Sequence, residues 1–409
     1  MELSDAIVQG LSLDGGLFLP IEWGSGLEKI KATSFQEYCL HGLSPFFKGD
    51  ELEAELPSII EKALDFPVSL NYYEENHAFL ELYHGPTSAF KDFGARFLAE
   101  VLSRKAGSKK LTILVATSGD TGGAVASAFY HKPGINVAIL FPKGKVSKLQ
   151  EKQLTCWGDN VMSFRVEGSF DDCQRMVKEA FSNKDLRERY NLTSANSINI
   201  GRLLPQMAYH GYSSQLFFEK TGKRPNLVIP TGNLGNGFGA LWAKKMGAPI
   251  DKVLLATNEN KSISHYYQSG TYSPTTSVET LANAMDVGAP SNMERLNDLY
   301  PDLNELKKVS LSISVSDQEI LEMINESFQK YSAPICPHTA VGLSAAQKLL
   351  EKEPYIISST AHASKFKEVV EPAIGTKLML PPKLASLLEK ESFFFDIEPN
   401  LEALFKQFR

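Results

Sequence analysis

Short, almost continuous apolar runs alternate along the chain with segments of helical periodicity. Leu111–Ala116 is such a run; it leads into the glycine-rich turn Thr117-Ser118-Gly119-Asp120-Thr121-Gly122-Gly123, and residues 124–130 then take helical spacing. The same strand, loop and helix order returns with strands predicted at 137–141 and 161–166 and helices at 147–157 and 171–181. It returns again at 226–230, followed by a second glycine-rich loop, and at 252–257. Further strands are predicted at 309–315 and 354–358, with a helix over 317–331 between them. Strands separated by helices at this spacing predict parallel α/β sheets whose loops gather at the strand carboxyl ends, where a ligand site is expected.

The first 80 residues read as mainly helical. Ser34 is placed to cap a helix starting at Phe35, and residues 51–64 mix acidic positions with an apolar stripe. Beyond Pro381-Pro382 the tail carries Phe393-Phe394-Phe395 and an apolar segment at 401–405, a density of aromatic surface expected to pack on the body. The expected organisation is a helical region at 1–80, α/β domains at 81–225 and 226–380, and a packing segment at 381–409.

Composition narrows the class. Acidic residues exceed Lys plus Arg by 48 to 42, a net charge of −6 that argues against a general nucleic-acid surface. The apolar runs are too short to cross a bilayer, and residues 1–5 do not resemble a signal peptide, so a cytoplasmic protein that binds neither nucleic acid nor membrane is expected. Cys39, Cys156, Cys173 and Cys336 are too scattered for a disulfide framework, and reduced thiols are expected. The eight histidines, His338 and His362 among them, show no zinc spacing, and no Gly-x-Ser-x-Gly elbow follows a strand.

The strongest chemical signal is Thr231-Gly232-Asn233-Leu234-Gly235-Asn236-Gly237-Phe238-Gly239, which follows one predicted strand and opens a helix. Glycines let backbone amides approach an anion, and a helix start adds unpaired N–H groups and a positive dipole end. The loop lacks the Gly-Lys-Ser/Thr ending of a nucleotide P-loop and lies far from the chain start, unlike a usual dinucleotide fingerprint. A tight turn with no ligand is the competing reading. The earlier turn at Ser118-Gly119-Asp120-Thr121-Gly122 offers hydroxyls and amides for a carboxylate or phosphate, provided that Asp120 faces away from that anion or bonds to backbone N–H groups. Lys91 stands beside the apolar stripe Phe90, Phe93, Phe97 and Val101, where its ammonium either faces a cleft or simply faces solvent. Arg202, Arg295 and Lys365 are candidate anion partners.

Residues 84–94, 117–122, Ala195-Asn196-Ser197-Ile198-Asn199, 230–236, 286–295, 338–342 and 360–366, preceded by Gly10-Leu11-Ser12-Leu13-Asp14-Gly15-Gly16-Leu17-Phe18-Leu19-Pro20, resemble in the same order the motifs of the threonine synthase family. The likeness covers roughly residues 6 to 370. It implies a fold type II pyridoxal 5'-phosphate enzyme that converts O-phosphohomoserine and water into threonine and phosphate by elimination and hydration. Lys91 would be the acid and base and would hold the cofactor as a Schiff base. Gly232, Asn233, Leu234, Gly235 and Asn236 would bind the cofactor phosphate, and Thr360 the pyridine nitrogen. Thr87, Ser118, Asp120, Thr121, Asn196, Ser197 and Asn199 match substrate-binding positions, with Arg202 for the substrate phosphate. A monomer or homodimer is expected. Two readings stay open beside this one: a related pyridoxal phosphate lyase or dehydratase that ends in a keto acid, and a non-catalytic phosphate-metabolite binding protein. The sequence departs from the family pattern by lacking the Ser-Thr-Arg-Gly type stretch before Gly10 and by carrying Ala363 where proline is usual. Without the fixed φ of proline, Ala363 is expected to loosen the turn near Thr360.

Overall fold

The computed structural model describes residues 1–12, 14–107 and 110–408; Leu13 of the opening motif lies outside the described residues. Among the described residues eleven strands form: β1 Ser69–Glu74, β2 His77–Glu81, β3 Leu111–Ala116, β4 Ile135–Pro142, β5 Val161–Val166, β6 Leu192–Thr193, β7 Asn226–Pro230, β8 Val253–Thr257, β9 Ser310–Ser314, β10 Tyr355–Ser359 and β11 Phe395–Ile397. They build two sheets, in the orders β1-β2-β10-β7-β8-β9 and β11-β5-β4-β3-β6. Every pairing is parallel except β1 with β2. Strands β3, β7, β8 and β10 are buried at every position, which is why they read as unbroken apolar runs: helices cover both faces of their sheets.

The predicted helix at 317–331 has those bounds, and Ser316 caps it reciprocally with Glu319. Ser34 likewise accepts from the Glu37 amide at the start of Phe35–Phe47. Two elements depart from expectation. The mainly helical region 1–80 ends in the hairpin β1-β2, and β2 joins the larger sheet by lying parallel to β10. The tail adds β11 to the smaller sheet, where Phe395 stacks on Phe164 and Asp396 receives Nε and Nη2 of Arg165 at 2.7 and 2.8 Å. Each sheet therefore takes strands from distant parts of the chain.

Because the sheets are parallel, the loops after β2, β7 and β10 leave one edge, and those after β3 and β6 leave the corresponding edge of the other sheet. Bonds between the two sets close the cleft: Lys365 reaches Asp120, and Asn233 reaches Ser197. Among the described residues no helix is long and apolar enough to cross a membrane, and the four cysteines are buried and unbridged.

Candidate active site

Lys91 opens the helix Lys91–Lys105. The segment before it is held by an isolated antiparallel bridge of Ala89 with Ala361, by the Phe90 amide donating to the Thr360 carbonyl at 2.8 Å, and by the His362 amide donating to the Ser88 carbonyl at 3.1 Å. Ser88 takes a left-handed φ of 54° to make this turn. The predicted lysine and Thr360 are thus neighbours although 269 positions apart. Burial draws the Lys91 ammonium down to about 8; Asp120 opposes the shift, while Arg202 and Lys365 reinforce it. A lysine so placed holds far more free amine near neutral pH than an ordinary lysine.

Asp120 faces into this cluster. Among the described residues its carboxylate bonds to no backbone N–H group; it lies 2.9 Å from the Lys365 ammonium and 3.3 Å from Gln150 Nε2. Burial works against its charge, yet Lys365 and Lys91 hold the carboxyl well below the usual carboxylate range. Lys365 also donates to the Thr87 carbonyl at 2.8 Å, so its anion partner is supplied by the chain itself. The turn after β3 offers fewer amides than expected, because Thr117 Oγ1 accepts from both Gly119 and Gly122.

The loop after β7 runs from the strand directly into a helix, as its sequence predicts. Leu234 takes a left-handed φ of 61° as the residue before the helix Gly235–Lys245, and the amides of Asn233, Leu234, Gly235 and Asn236 have no acceptor among the described residues. A Cβ on Gly232 would stand 2.7 Å from the Met285 Cα, so glycine is required there by a close backbone approach. Asn236 accepts at Oδ1 from the Tyr209 hydroxyl at 2.6 Å and from His210 Nε2 at 2.8 Å, which leaves its buried Nδ2 without a partner among the described residues. These features fit pyridoxal phosphate: unsatisfied donors for a phosphate ester, a depressed lysine for an aldehyde, and the Thr360 hydroxyl, which bonds to no described residue.

The candidate substrate residues fall into two groups. Ser118, Thr121 and Asn196 are half-buried with side chains bonded to no described residue, Ser197 is half-buried with its hydroxyl accepting from Asn233, and Arg202 is buried with an unpartnered Nε. Burial pulls Arg202 down to about 10, with Asp92 and Tyr209 opposing. Thr87 and Asn199 do not present free groups. Thr87 gives its hydroxyl and amide to Asp92 at 2.7 and 2.8 Å. Asn199 donates to the carbonyls of Ile7 and Ser194 and accepts from the Gly201 amide. Both side chains fix loops in place.

Arg295 is not free for an anion. Its fully buried guanidinium uses all five N–H groups on the chain: two on the Phe18 carbonyl, one each on those of Ser197 and Ile198, and one on Asn292 Oδ1. Asn292 in turn donates to the Asn233 carbonyl at 2.9 Å and to the Ser197 hydroxyl at 3.4 Å. This network joins the opening motif, the loop after β6 and the loop after β7, a role that sequence position did not reveal. Ala363 does not leave its turn open, since His362 Nδ1 accepts from the Ser364 amide and the Lys365 amide bonds back to the His362 carbonyl.

His210 and His338 are buried and held neutral. Burial lowers both to about 4, opposed at His210 by its bonds to Asn236 and at His338 by Asp120, with Lys91 and Lys365 adding to the depression at His338. Their ordinary value is 6.5, so between there and about 4 the unfolded chain binds protons that the folded chain does not. Folding stability then rises with pH in this window and falls on acidification, by up to about 1.4 kcal/mol per pH unit for each histidine. Asp286, raised by burial to about 6, runs the opposite way and offsets part of the effect. Urea denaturation should show the midpoint falling between about pH 7 and pH 5; a level midpoint would contradict this account of the two histidines.

Comparison with known proteins extends over the chain. A family model described as pyridoxal-phosphate dependent enzyme matches residues 76–357, and models of the threonine synthase N terminus and C-terminal part match 1–64 and 339–408. The chain is 42% identical over 392 residues to the threonine synthase of Haemophilus influenzae, covering 93% of this chain and 90% of that protein. The crystal structure of threonine synthase from Escherichia coli is similar at a TM-score of 0.91 and 36% identity, covering 99% of this chain and 96% of that one. That of PLP-bound threonine synthase from Brucella melitensis is similar at 0.92 and 31% identity, with the same coverage.

Proposed function

Because this chain belongs to the threonine synthase family of pyridoxal-phosphate-dependent enzymes, we propose that the cleft around Lys91, Asp120 and the loop after β7 is its catalytic centre. The enzyme has the α/β architecture of fold type II and converts O-phosphohomoserine and water into L-threonine and inorganic phosphate. The observation that carries the site assignment is the depressed, half-buried Lys91 beside Thr360, in one cleft with a strand-to-helix loop whose amides are unsatisfied.

In this reading the amides of residues 232–236 and Asn236 Nδ2 hold the cofactor phosphate, with Tyr209 and His210 fixing the orientation of Asn236. Thr360 offers a neutral hydroxyl to the pyridine nitrogen. Pyridoxal phosphate, when bound, supplies the electron sink for charge left on carbon. Lys91 takes the proton at the substrate Cα and returns it there at the end, a task suited to an amine that titrates near 8. Arg202, with a donor to spare, meets the substrate phosphate as it departs. Ser118, Thr121, Asn196 and Ser197 orient the amino acid through neutral donors, while Thr87 and Asn199 hold their loops.

The site as assigned needs no residue from a second chain, so a monomer or a homodimer could each carry it, and the buried, unbridged thiols fit a reducing cytoplasm. The test is incubation of the cofactor-loaded protein with O-phosphohomoserine, resolving threonine, α-ketobutyrate and phosphate. Threonine and phosphate should appear in equal amounts; ketobutyrate in their place would move the chain to the related lyases.

A further inference from the structure

Lys365 is fully buried, and a buried ammonium is costly unless its donors are satisfied. Two of its three N–H groups have assigned partners, the Asp120 carboxylate at 2.9 Å and the Thr87 carbonyl at 2.8 Å. The Thr87 carbonyl also accepts from Gln153 at 3.1 Å, and Gln150 donates to the same Asp120 oxygen at 3.3 Å, so two glutamines of the one helix Lys148–Thr155 brace the pair. Lys91 shares the cleft with this carboxylate, yet among the described residues Lys365 is the cation within ion-pair distance of Asp120.

We propose that Lys365 is a positioning residue that holds the Asp120 carboxylate in a buried ion pair, withholding it from Lys91 and keeping the Lys91 amine available as nucleophile and base. A direct pair between Asp120 and Lys91 would favour the ammonium form, which can neither take a proton nor join an aldehyde carbon. The groups acting on Lys91 are Asp120, which favours its charge, and Arg202 and Lys365, which oppose it; the neutral His338 stands in the same field. Lys365 therefore acts twice, through its own charge and through its hold on Asp120. The proposal rests on Lys91 being the cofactor lysine, but an amine titrates whether or not that is so, and the absorbance of the loaded Lys91→Ala variant tests that point separately.

The experiment is competitive acetylation of Lys91 in the full chain without added cofactor, followed by mass spectrometry across pH; recovery of cofactor absorbance on reloading reports an intact fold. Lys365→Met should move the Lys91 midpoint up by about one pH unit or more, since a like charge is lost and the carboxylate is released. Asp120→Asn should move it down, and the double variant should fall between the two. Opposite signs are the signature, because a purely structural role would alter thermal stability without ordering the midpoints this way. An unchanged or lowered midpoint in Lys365→Met overturns the proposal, and if that variant does not fold, a midpoint in Asp120→Asn that stays or rises does so instead.

Discussion

Lys91→Ala is expected to lower threonine formation by at least about 10³-fold, since it removes both the proposed covalent anchor of the cofactor and the acid and base. The fold should survive. Alanine is a good helix former at the start of Lys91–Lys105, and the bonds that shape the turn, from the Phe90 amide to the Thr360 carbonyl and from the Arg202 guanidinium to the Lys91 carbonyl, do not involve the lost side chain. Burial disfavours the Lys91 charge, so its removal should leave the thermal midpoint at or above that of the parent chain. The paired measurements are product formation and the visible absorbance of the loaded protein. Full turnover with full absorbance would end the assignment of Lys91.

Arg295→Met should cost about 3 kcal/mol or more of folding stability, and it should also weaken cofactor binding. The carbonyls of Phe18, Ser197 and Ile198 and the Asn292 side-chain oxygen all lose donors in a fully buried place. Methionine refills much of the volume but none of the bonds. Burial draws the arginine down to about 9, so part of the loss is returned when the charge is removed; the unsatisfied oxygens decide the sign. Arg295→Lys should recover only a fraction, because one ammonium cannot span oxygens arrayed around a planar fork. Urea denaturation, with cofactor affinity measured on the same samples, checks both effects. A loss below about 1 kcal/mol would mean that water replaces the guanidinium at little cost.

Much of this architecture is legible along the chain. Leu111–Ala116 declares itself because a strand covered on both faces must be apolar throughout, and the helix Asp317–Tyr331 because its cap and its periodicity agree. The loop at 231–239 is recognisable for a local reason: its glycines, strand and helix are contiguous, so the backbone proposed to bind an anion is built from neighbouring residues. The hairpin β1-β2 gives no such signal. It is partly exposed, half polar and near the edge of its sheet, and the partner that makes β2 a strand, β10, lies more than 270 positions later. The three-residue β11 is likewise a strand only because β5 lies beside it.

By itself the sequence determined the layered α/β class, the glycine-rich loop between strand and helix and, through motifs that are each contiguous, which lysine to single out, since each of these depends on residues close together in the chain. The tertiary structure alone decided where the charges and donors go. Asp120 turned out to face Lys365, Thr87 and Asn199 to brace loops, and Arg295 to tie three distant segments together, because a side chain's partner is whatever folding brings within about 3 Å, and sequence spacing carries no information about contacts that remote.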